Sequence, residues 1–206
     1  MSGTSLDGID AALVETDGEK VISFGASINF PYSREFRKSL RKTLNNDLAP
    51  GSAIERDLTM KHAEAVFSLL DKSGLKYSDI GVVGFHGQTI FHDPANKITC
   101  QIGDGKLLAN TLGIVVINDF RSNDVKNGGE GAPLTPIFHF AVSNSLERPL
   151  CILNLGGIAN VTWIGSDGRF LAFDTGPANA LIDDWIYKHR LGMMDKDGTI
   201  AILFGA

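Results

Sequence analysis

The chain has 206 residues, a formal net charge of −5 and 43% hydrophobic residues. This composition supplies enough apolar surface to offset the ordering entropy of a globular fold, and it excludes a chain that is disordered throughout. The densest basic cluster is five residues between Arg34 and Lys42, and the apolar runs are shorter than the roughly 20 residues that span a bilayer. We therefore expect neither a nucleic-acid partner nor a membrane partner.

The cysteines and the N-terminal residues indicate the compartment. Cys100 and Cys151 are far apart, and neither belongs to a CxxC or His/Cys pattern typical of a metal site. Both are predicted to be buried free thiols. The N-terminus has no basic-then-apolar signal pattern, so we expect a protein of the reducing cytoplasm.

The chain opens with a predicted β-hairpin. Residues 9–15 and 21–30 are apolar and β-prone, and Asp17-Gly18 between them is a typical turn dipeptide. The two segments should therefore pair in an antiparallel ribbon.

Two helices are predicted next. Apolar residues spaced by four predict a helix over residues 33–46. Ser52 and Glu55 have the spacing of a capping box, which predicts the start of a second helix that ends at Gly74.

Polar residues follow two predicted buried strands. Residues 80–85 and 114–117 are continuous apolar runs, typical of strands covered on both faces. His86-Gly87-Gln88-Thr89 follows the first run and Asn118-Asp119 the second, and a short hairpin around Asp93-Pro94 lies between them. In open α/β sheets ligands bind at the carboxyl ends of strands, so these residues predict a site.

The second half of the chain repeats a strand–turn–strand pattern. A Gly/Pro-rich loop precedes a predicted helix, and a new apolar pattern begins after residue 148. We expect an α/β fold with an N-terminal lobe over residues 1–148 and a partial C-terminal lobe over residues 149–206. The predicted elements are a helix over 136–145, strands over 150–155, 158–164 and 169–173, and a helix over 179–189.

Two Gly-rich turns stand out, one in each predicted lobe. Residues 2–10 and residues 154–162 each place glycines and small polar residues before an apolar strand. Glycine lets backbone N–H groups approach a phosphate closely, so two such turns could clamp a polyphosphate from both sides. That pairing is typical of the actin-like two-domain phosphotransferases (the ribonuclease H-like architecture). Either turn alone is equally compatible with a simple hairpin connector.

These turns and four further motifs give the chain a resemblance to the anhydro-N-acetylmuramic acid kinase family. The motifs are MSGTSLDGID from residue 1, GFHGQTIFHDP from 84, VINDFRSND from 116, GGEGAPLTP from 128, LNLGGIANVT from 153 and FDTGPAN from 173. The resemblance spans essentially the whole chain.

The resemblance implies a sugar kinase of the hexokinase and actin-like superfamily that recycles cell-wall sugar. Such an enzyme opens the 1,6-anhydro ring with water and transfers the ATP γ-phosphate to O6. It implies ATP and Mg²⁺ as cofactors and a muramyl sugar as substrate. Asp174 matches the general base, and Arg121 could meet the developing phosphate charge or a substrate oxygen.

The remaining site predictions divide between nucleotide and sugar. Asp7 is also the predicted carboxylate for the metal. The predicted nucleotide contacts are Gly3, Thr4, Ser5, Leu6, Asp7, Gly8, Ile9, Asp10, Gly156 and Gly157. The predicted sugar contacts are His86, Gln88, Thr89, Asp119, Gly176 and Asn179.

Structural alternatives stay open for several of these residues. Asp174 precedes Thr175-Gly176-Pro177 and could merely organise a turn. His86 could be a core histidine, and Asp119 and Asp124 could be ion-pair partners of Arg121.

The chain also departs from the family pattern. The family has an apolar strand before the first turn and continues well beyond the position of Ala206, and it usually has Gln where Glu130 stands. We therefore expect a family member shortened at both ends, with exposed apolar surface and self-association, for instance as a homodimer. Two functions remain: the kinase itself, or an inactive remnant that keeps the fold and binds sugar weakly. An actin-like ATPase with another client fits the HGQT and FDTGPAN motifs less well.

Overall fold

The computed structural model describes residues 1–3, 6–44, 51–192 and 194–203. These residues form two packing units, Met1–Ala132 and Pro133–Ala206. The predicted lobe boundary after residue 148 stays a prediction. The helix that precedes it, Thr135–Val142, packs on strands of the second unit.

The described elements alternate between strands and helices, as expected for a mixed α/β chain. The strands are β1 Gly8–Thr16, β2 Val21–Pro31, β3 Val83–Phe85, β4 Gln88–Asp93, β5 Ile98–Ile102, β6 Val116–Asn118, β7 Leu150–Leu155, β8 Ile158–Ile164 and β9 Phe170–Pro177. The helices are α1 Arg34–Arg41, α2 Ala53–Ser73, α3 Gly105–Leu112, α4 Ser122–Lys126, α5 Thr135–Val142, α6 Asn179–Lys188 and α7 Thr199–Leu203.

The predicted opening hairpin is confirmed. β1 and β2 pair antiparallel from Gly8 opposite Pro31 to Thr16 opposite Val21. The Asp17 carboxylate closes the turn by accepting the backbone N–H groups of Glu19 and Lys20 at 2.9 and 2.7 Å. A short acceptor side chain can satisfy turn N–H groups in this way, which is why Asp-Gly predicts a turn.

Helices α1 and α2 cover the hairpin and form the main core of the first unit. α1 begins where the Ser33 hydroxyl accepts the Phe36 N–H at 3.2 Å, an N-cap bond. α1 ends at Arg41 and residues 42–44 form turns, so the helix is shorter than predicted; residues 45 and 46 lie outside the described residues. The core side chains are Leu6, Ile9, Tyr32, Phe36, Leu40, Leu58, Ala65, Ile90 and Ile102.

The start of α2 differs from the predicted capping box. The Ser52 hydroxyl makes no cap bond, and Glu55 instead accepts the N–H groups of Gly51 at 2.6 Å and Gly103 at 3.0 Å. Glu55 therefore ties the helix start to the segment after β5. The helix ends as predicted at Gly74, whose φ of +68° is left-handed.

A short parallel pair forms the centre of the first unit. β3 pairs with β6, with Val83 opposite Val116 and Phe85 opposite Asn118. Both strands are shorter than or offset from the predicted apolar runs. Helix α3, which the sequence reading did not predict, begins at Asp104, whose carboxylate accepts the Leu107 N–H at 2.9 Å.

The second unit is a three-stranded antiparallel sheet with helices. β8 lies between β7 and β9. β9 continues to Pro177, four residues beyond the predicted end at 173. The prediction that Cys151 is buried is wrong, because it lies exposed on β7, and Cys100 is only partly buried; neither cysteine forms a disulfide.

The expected exposure of apolar surface is observed in this unit. Large apolar side chains lie open on both the sheet and helix α6, and several are more than half exposed. Examples are Leu153, Leu155, Ile158, Phe173, Leu181 and Ile182. A small apolar depression on α6 is lined by Leu181, Ile182 and Trp185.

Gly8 should be intolerant of a side chain. A Cβ at this position would lie 2.5 Å from the Phe30 carbonyl oxygen and 2.9 Å from the Pro31 Cα. We expect Gly8→Ala to lower the free energy of unfolding by about 1–3 kcal/mol, because both neighbours are backbone atoms that cannot rotate away. Gly81→Ala is the matched control, since an added Cβ there has open space. Equal urea midpoints for the two variants would contradict the close approach.

His62 should make the first unit sensitive to acid. Burial, partly offset by the hydrogen bond to the Leu58 carbonyl, lowers the pKa of His62 from 6.5 to about 4. The unfolded chain then binds more protons, so stability is full above about pH 6.5 and falls as the pH drops towards 4. We expect a loss of up to roughly 3 kcal/mol.

The measurement is urea unfolding followed by circular dichroism between pH 7 and pH 4. His62→Leu should flatten the pH dependence, whereas His92→Gln, which changes an exposed histidine of the same unit, should retain it. A steep acid loss that survives His62→Leu would assign the effect to other groups.

Candidate functional site

Two predicted site segments meet at one end of the parallel strand pair. The segment that begins with His86 follows β3, and the segment that contains Asp119 and Arg121 follows β6. Neighbouring parallel strands end at the same edge, so their exits are adjacent. The contact is direct: Arg121 Nε lies 2.9 Å from His86 Nε2.

The two hydrogen bonds of His86 define its tautomer. Arg121 Nε can only donate, so His86 Nε2 must accept and carries no proton. His86 Nδ1 lies 3.0 Å from the Gly87 carbonyl oxygen and must donate to it. Burial is the main cause that lowers the pKa of His86; the Gly87 carbonyl opposes it and the Arg121 charge adds to it. The half-buried imidazole is therefore neutral near pH 7.

Arg121 and Asp124 hold the Gly-rich loop that follows α4. Arg121 Nη1 donates to the Gly131 carbonyl at 2.5 Å, and Asp124 Oδ2 accepts the Gly131 N–H at 2.7 Å. Gly131 has a φ of +63°, and a Cβ there would lie 2.5 Å from a methyl carbon of Val125. Only glycine fits this position, which explains the last glycine of the GGEG motif.

Asp119 and Asp124 do not form the ion pairs with Arg121 that the sequence left open as an alternative. The Asp124 carboxylate binds backbone N–H, and Asp119 Oδ1 accepts the Ser122 N–H at 3.4 Å. Asp119 itself has a left-handed φ of +57° and an exposed side chain. Among the described residues, the ion pair found is between Arg169 and Asp167, remote in sequence. Burial lowers the pKa of the Arg121 guanidinium, and no carboxylate offsets it there.

Gln88 lies inside the protein. Its side chain is fully buried, and its Oε1 accepts the Ser2 hydroxyl at 2.5 Å. The Ser2 oxygen in turn accepts the Tyr32 hydroxyl at 2.9 Å. Thr89 is half-buried and its hydroxyl accepts Gln101 Nε2 at 3.4 Å. The HGQT segment is thus hydrogen-bonded to the first residue of the first Gly-rich turn.

The first Gly-rich turn is held by backbone bonds and by the core. Leu6 N donates to the Gly3 carbonyl at 3.2 Å, and Leu6 has a φ of +55°. The side chains of Leu6 and Ile9 are buried, so these residues can offer a nucleotide only their backbone. Asp7 and Asp10 have exposed side chains, and Asp10 Oδ1 accepts Asn29 Nδ2 at 2.9 Å.

Two predicted nucleotide contacts, Thr4 and Ser5, lie outside the described residues.

The second Gly-rich turn joins β7 to β8 and contacts the start of α6. The Gly156 carbonyl accepts the Asn179 N–H at 2.9 Å, and the Gly157 carbonyl accepts the Ala178 N–H at 3.0 Å. The Asn179 side-chain amide donates to the Leu155 carbonyl at 2.5 Å. Asn179 therefore fixes the turn to the helix.

Asp174 lies within strand β9 and is exposed. It is opposite Asn160 of β8, next to a β-bulge at Ala159 and Asn160. Thr175 Oγ1 donates to the Ala159 carbonyl at 3.2 Å, and Gly176 has a φ of +144°. The Asp174 carboxylate, beside this bulge, is therefore presented to solvent.

The structure adds residues that the sequence reading missed or ranked low. Ser2 and Tyr32 were not candidates, and Asp124 was considered mainly as an ion-pair partner. The spacing of Asp124 before GGEG was the available signal, since short acidic side chains often bind loop N–H groups. Nothing in the sequence pairs Tyr32 with Ser2.

Within the described ranges, no three His, Cys, Asp or Glu side chains are grouped as a metal site. In the same ranges no helix combines the length and apolarity needed to cross a bilayer.

The mixed α/β fold and these motifs define the class of the chain, an actin-like sugar kinase fold. A family model described as anhydro-N-acetylmuramic acid kinase matches residues 1–203. The chain belongs to this family.

Curated relatives with the same name support the assignment. One from Paramagnetospirillum magneticum is 54% identical, over 98% of this chain and 56% of its own length. One from Rhodospirillum rubrum is 50% identical, over 98% of this chain and 54% of its own length. One from Agrobacterium fabrum is 48% identical, over 98% of this chain and 57% of its own length. The chain thus spans a little over half the length of these relatives.

Gln88→Met should separate a structural role from a binding role. The variant leaves the buried Ser2 hydroxyl without its acceptor, and we expect the free energy of unfolding to fall by about 1–3 kcal/mol. Adding Ser2→Ala and Tyr32→Phe should recover part of that loss, because all three members of the buried hydrogen-bonded chain are then removed. Unchanged stability together with weakened sugar binding would contradict the buried link and favour a direct sugar contact.

Proposed function

We propose that the protein represented by this chain is an ATP-dependent kinase that opens 1,6-anhydro-N-acetylmuramic acid with water and phosphorylates O6. The product is N-acetylmuramic acid 6-phosphate. The proposal rests on membership of the family together with one geometric observation. That observation is the hydrogen-bonded cluster of His86, Arg121, Gly131 and Asp124, which joins three family motifs at the ends of β3 and β6.

The reaction needs one proton acceptor and one centre of positive charge. Water adds to the anomeric carbon and the bond between that carbon and O6 breaks. O6 then bonds to the γ-phosphorus, and the bond from that phosphorus to the β,γ-bridging oxygen breaks as ADP leaves. Asp174 is exposed on β9 and takes the proton of the attacking water. Arg121 carries a charge that can stabilise either the sugar oxygen or the transferred phosphoryl group.

The other predicted sugar contacts divide by exposure. Asp119 is exposed just after β6 and Thr89 is half-buried in β4, so both can border a small polar substrate. Gly176 and Asn179 flank the end of β9 in the second unit, close in sequence to Asp174.

The first turn fits a nucleotide phosphate chain through its backbone. Gly8 admits the close approach of β1 to Phe30 and Pro31, which anchors the turn without a side chain in the way. Mg²⁺ commonly binds one or two carboxylates together with phosphate oxygens and water. The exposed Asp7 fits a Mg²⁺ ion that arrives with ATP, and the ion would neutralise phosphate charge.

Self-association and a cytoplasmic location stay predictions. The exposed apolar side chains of the second unit support self-association.

Asp174→Asn should abolish turnover. We expect ADP release in the presence of the anhydro sugar to fall by roughly 10²–10⁴-fold, because the amide cannot accept the proton of water. Asp184→Asn, an exposed carboxylate of α6 in the same unit, is the control and should retain activity. The measurement is coupled ADP release, with the sugar phosphate identified by mass spectrometry.

Oxygen labelling sharpens the same experiment. In ¹⁸O-water the label should enter at the anomeric carbon and stay out of the phosphoryl group. Labelled inorganic phosphate without sugar phosphate would indicate simple ATP hydrolysis and contradict the proposal.

The second candidate is sugar binding without turnover by these 206 residues, which span a little over half the length of the relatives they match. Calorimetric titration of the 206-residue chain with the anhydro sugar distinguishes the two. Binding without ADP release would favour the second candidate.

A further inference from the structure

We infer that His86 is a positioning residue that acts through Arg121: a neutral, Nδ1-protonated imidazole aims the guanidinium towards the ligand. This inference deepens the proposed function and rests on it for the ligand class, a sugar or phosphate oxygen. It replaces the expectation that His86 contacts sugar directly.

The geometry of the guanidinium supports this role. Arg121 is held at two separate nitrogens, Nε by His86 at 2.9 Å and Nη1 by the Gly131 carbonyl at 2.5 Å. Two bonds to different nitrogens of a planar group fix both its position and the direction of its plane. The other N–H groups of the guanidinium then point in a defined direction, where an oxygen ligand can bind.

Both partners of Arg121 are themselves fixed. His86 Nδ1 donates to the carbonyl oxygen of Gly87, which has a φ of +69° and lies so close to the Ile102 carbonyl oxygen that an added Cβ would be 2.4 Å from it. Gly131 is held by Asp124 through its N–H. The guanidinium is therefore braced from β3 on one side and from the α4 loop on the other.

The choice of a neutral partner has an electrostatic consequence. A carboxylate in place of His86 would neutralise Arg121 and compete with an anionic ligand. An imidazole that accepts through Nε2 orients the guanidinium and leaves its charge intact. A guanidinium that is oriented but not neutralised can still stabilise the negative charge that develops on a ligand in the transition state.

Burial is the main cause that lowers the pKa of His86, and the charged groups near it act in the same direction. The groups that act on its charge are the Arg121 guanidinium and the amino group of Met1, and both disfavour a second positive charge. His62 of α2 is also near enough to interact with it electrostatically. Protonation of His86 would remove its acceptor and turn the Nε2 contact with Arg121 into a repulsion.

The first test is NMR of the 206-residue chain, which needs no catalytic activity. Long-range ¹H–¹⁵N spectra should assign His86 to the Nδ1-protonated tautomer at pH 7. They should also show a protected Arg121 Nε–H signal. A His86 found in the Nε2-protonated tautomer, or as a cation at that pH, would overturn the inference.

Two variants separate positioning from direct contact. Gln places its Oε1 near the position of His Nε2, so His86→Gln should retain the protected Arg121 Nε–H signal. His86→Phe removes the acceptor and should lose that signal. If His86→Phe does not fold, the tautomer of His86 in the wild type still tests the inference. A signal unchanged in a folded His86→Phe would overturn the inference.

The functional readout uses the anhydro sugar as probe. In His86→Phe we expect sugar affinity, or kcat where the chain turns over, to fall roughly ten- to hundred-fold, as for a lost bond to a charged group. His86→Gln should recover most of it, and His189→Gln, at the C-cap of α6, should match the wild type. Equal losses in Gln and Phe variants, with the Arg121 signal retained in Gln, would make His86 a direct ligand and overturn the inference. Absence of ADP release in the wild type would instead count against the proposed function and leave the NMR result standing.

Discussion

The parallel pairing of β3 with β6 is the constraint on which the first unit's site depends. The pair contains only three residues on each strand, yet its register places Phe85 opposite Asn118. The residues that follow each strand therefore leave the sheet at the same edge, where His86 contacts Arg121. A shift by one residue would turn alternate side chains to the other face of the sheet and separate this pair. The remaining contacts of Arg121, to the loop after α4, follow from that position.

Buried polar bonds extend this constraint to the first Gly-rich turn. Tyr32, Ser2 and Gln88 form a chain in which each hydroxyl donates to the next acceptor. Burial raises the pKa of Tyr32 to about 12, so the phenol stays a donor at any physiological pH. A buried network in which each of these groups has a partner defines one geometry, because any other arrangement leaves a polar atom unpaired. The turn predicted to hold phosphate and the segment predicted to meet sugar are thereby fixed to the same framework.

Sequence reasoning succeeded where the signal is local. Asp17-Gly18 predicted the first hairpin, Gly74 predicted the end of α2, and family motifs predicted the membership that the comparisons show. It failed where tertiary contacts decide. Helix α3 has only eight residues and begins at an Asp cap that is easily taken for a turn. Glu55 does not form a capping box but binds the N–H of Gly103, which is distant in sequence. Strand β9 continues through Asp174 because β8 pairs with it.

The role of Asp124 shows why residue type alone misjudges a charged cluster. In the sequence, two acids flank Arg121, and a mutual ion pair is the simplest expectation. Asp119 instead accepts a backbone N–H at the start of α4, and Asp124 accepts the N–H of Gly131. A carboxylate bound to N–H groups is stabilised as an anion by local dipoles and offers less to a neighbouring cation. The acids thus shape the loop, while His86 and a carbonyl hold Arg121. This division leaves a half-buried cation poised for an external oxygen or anion, which a phosphoryl-transfer site needs and a structural ion pair would have removed.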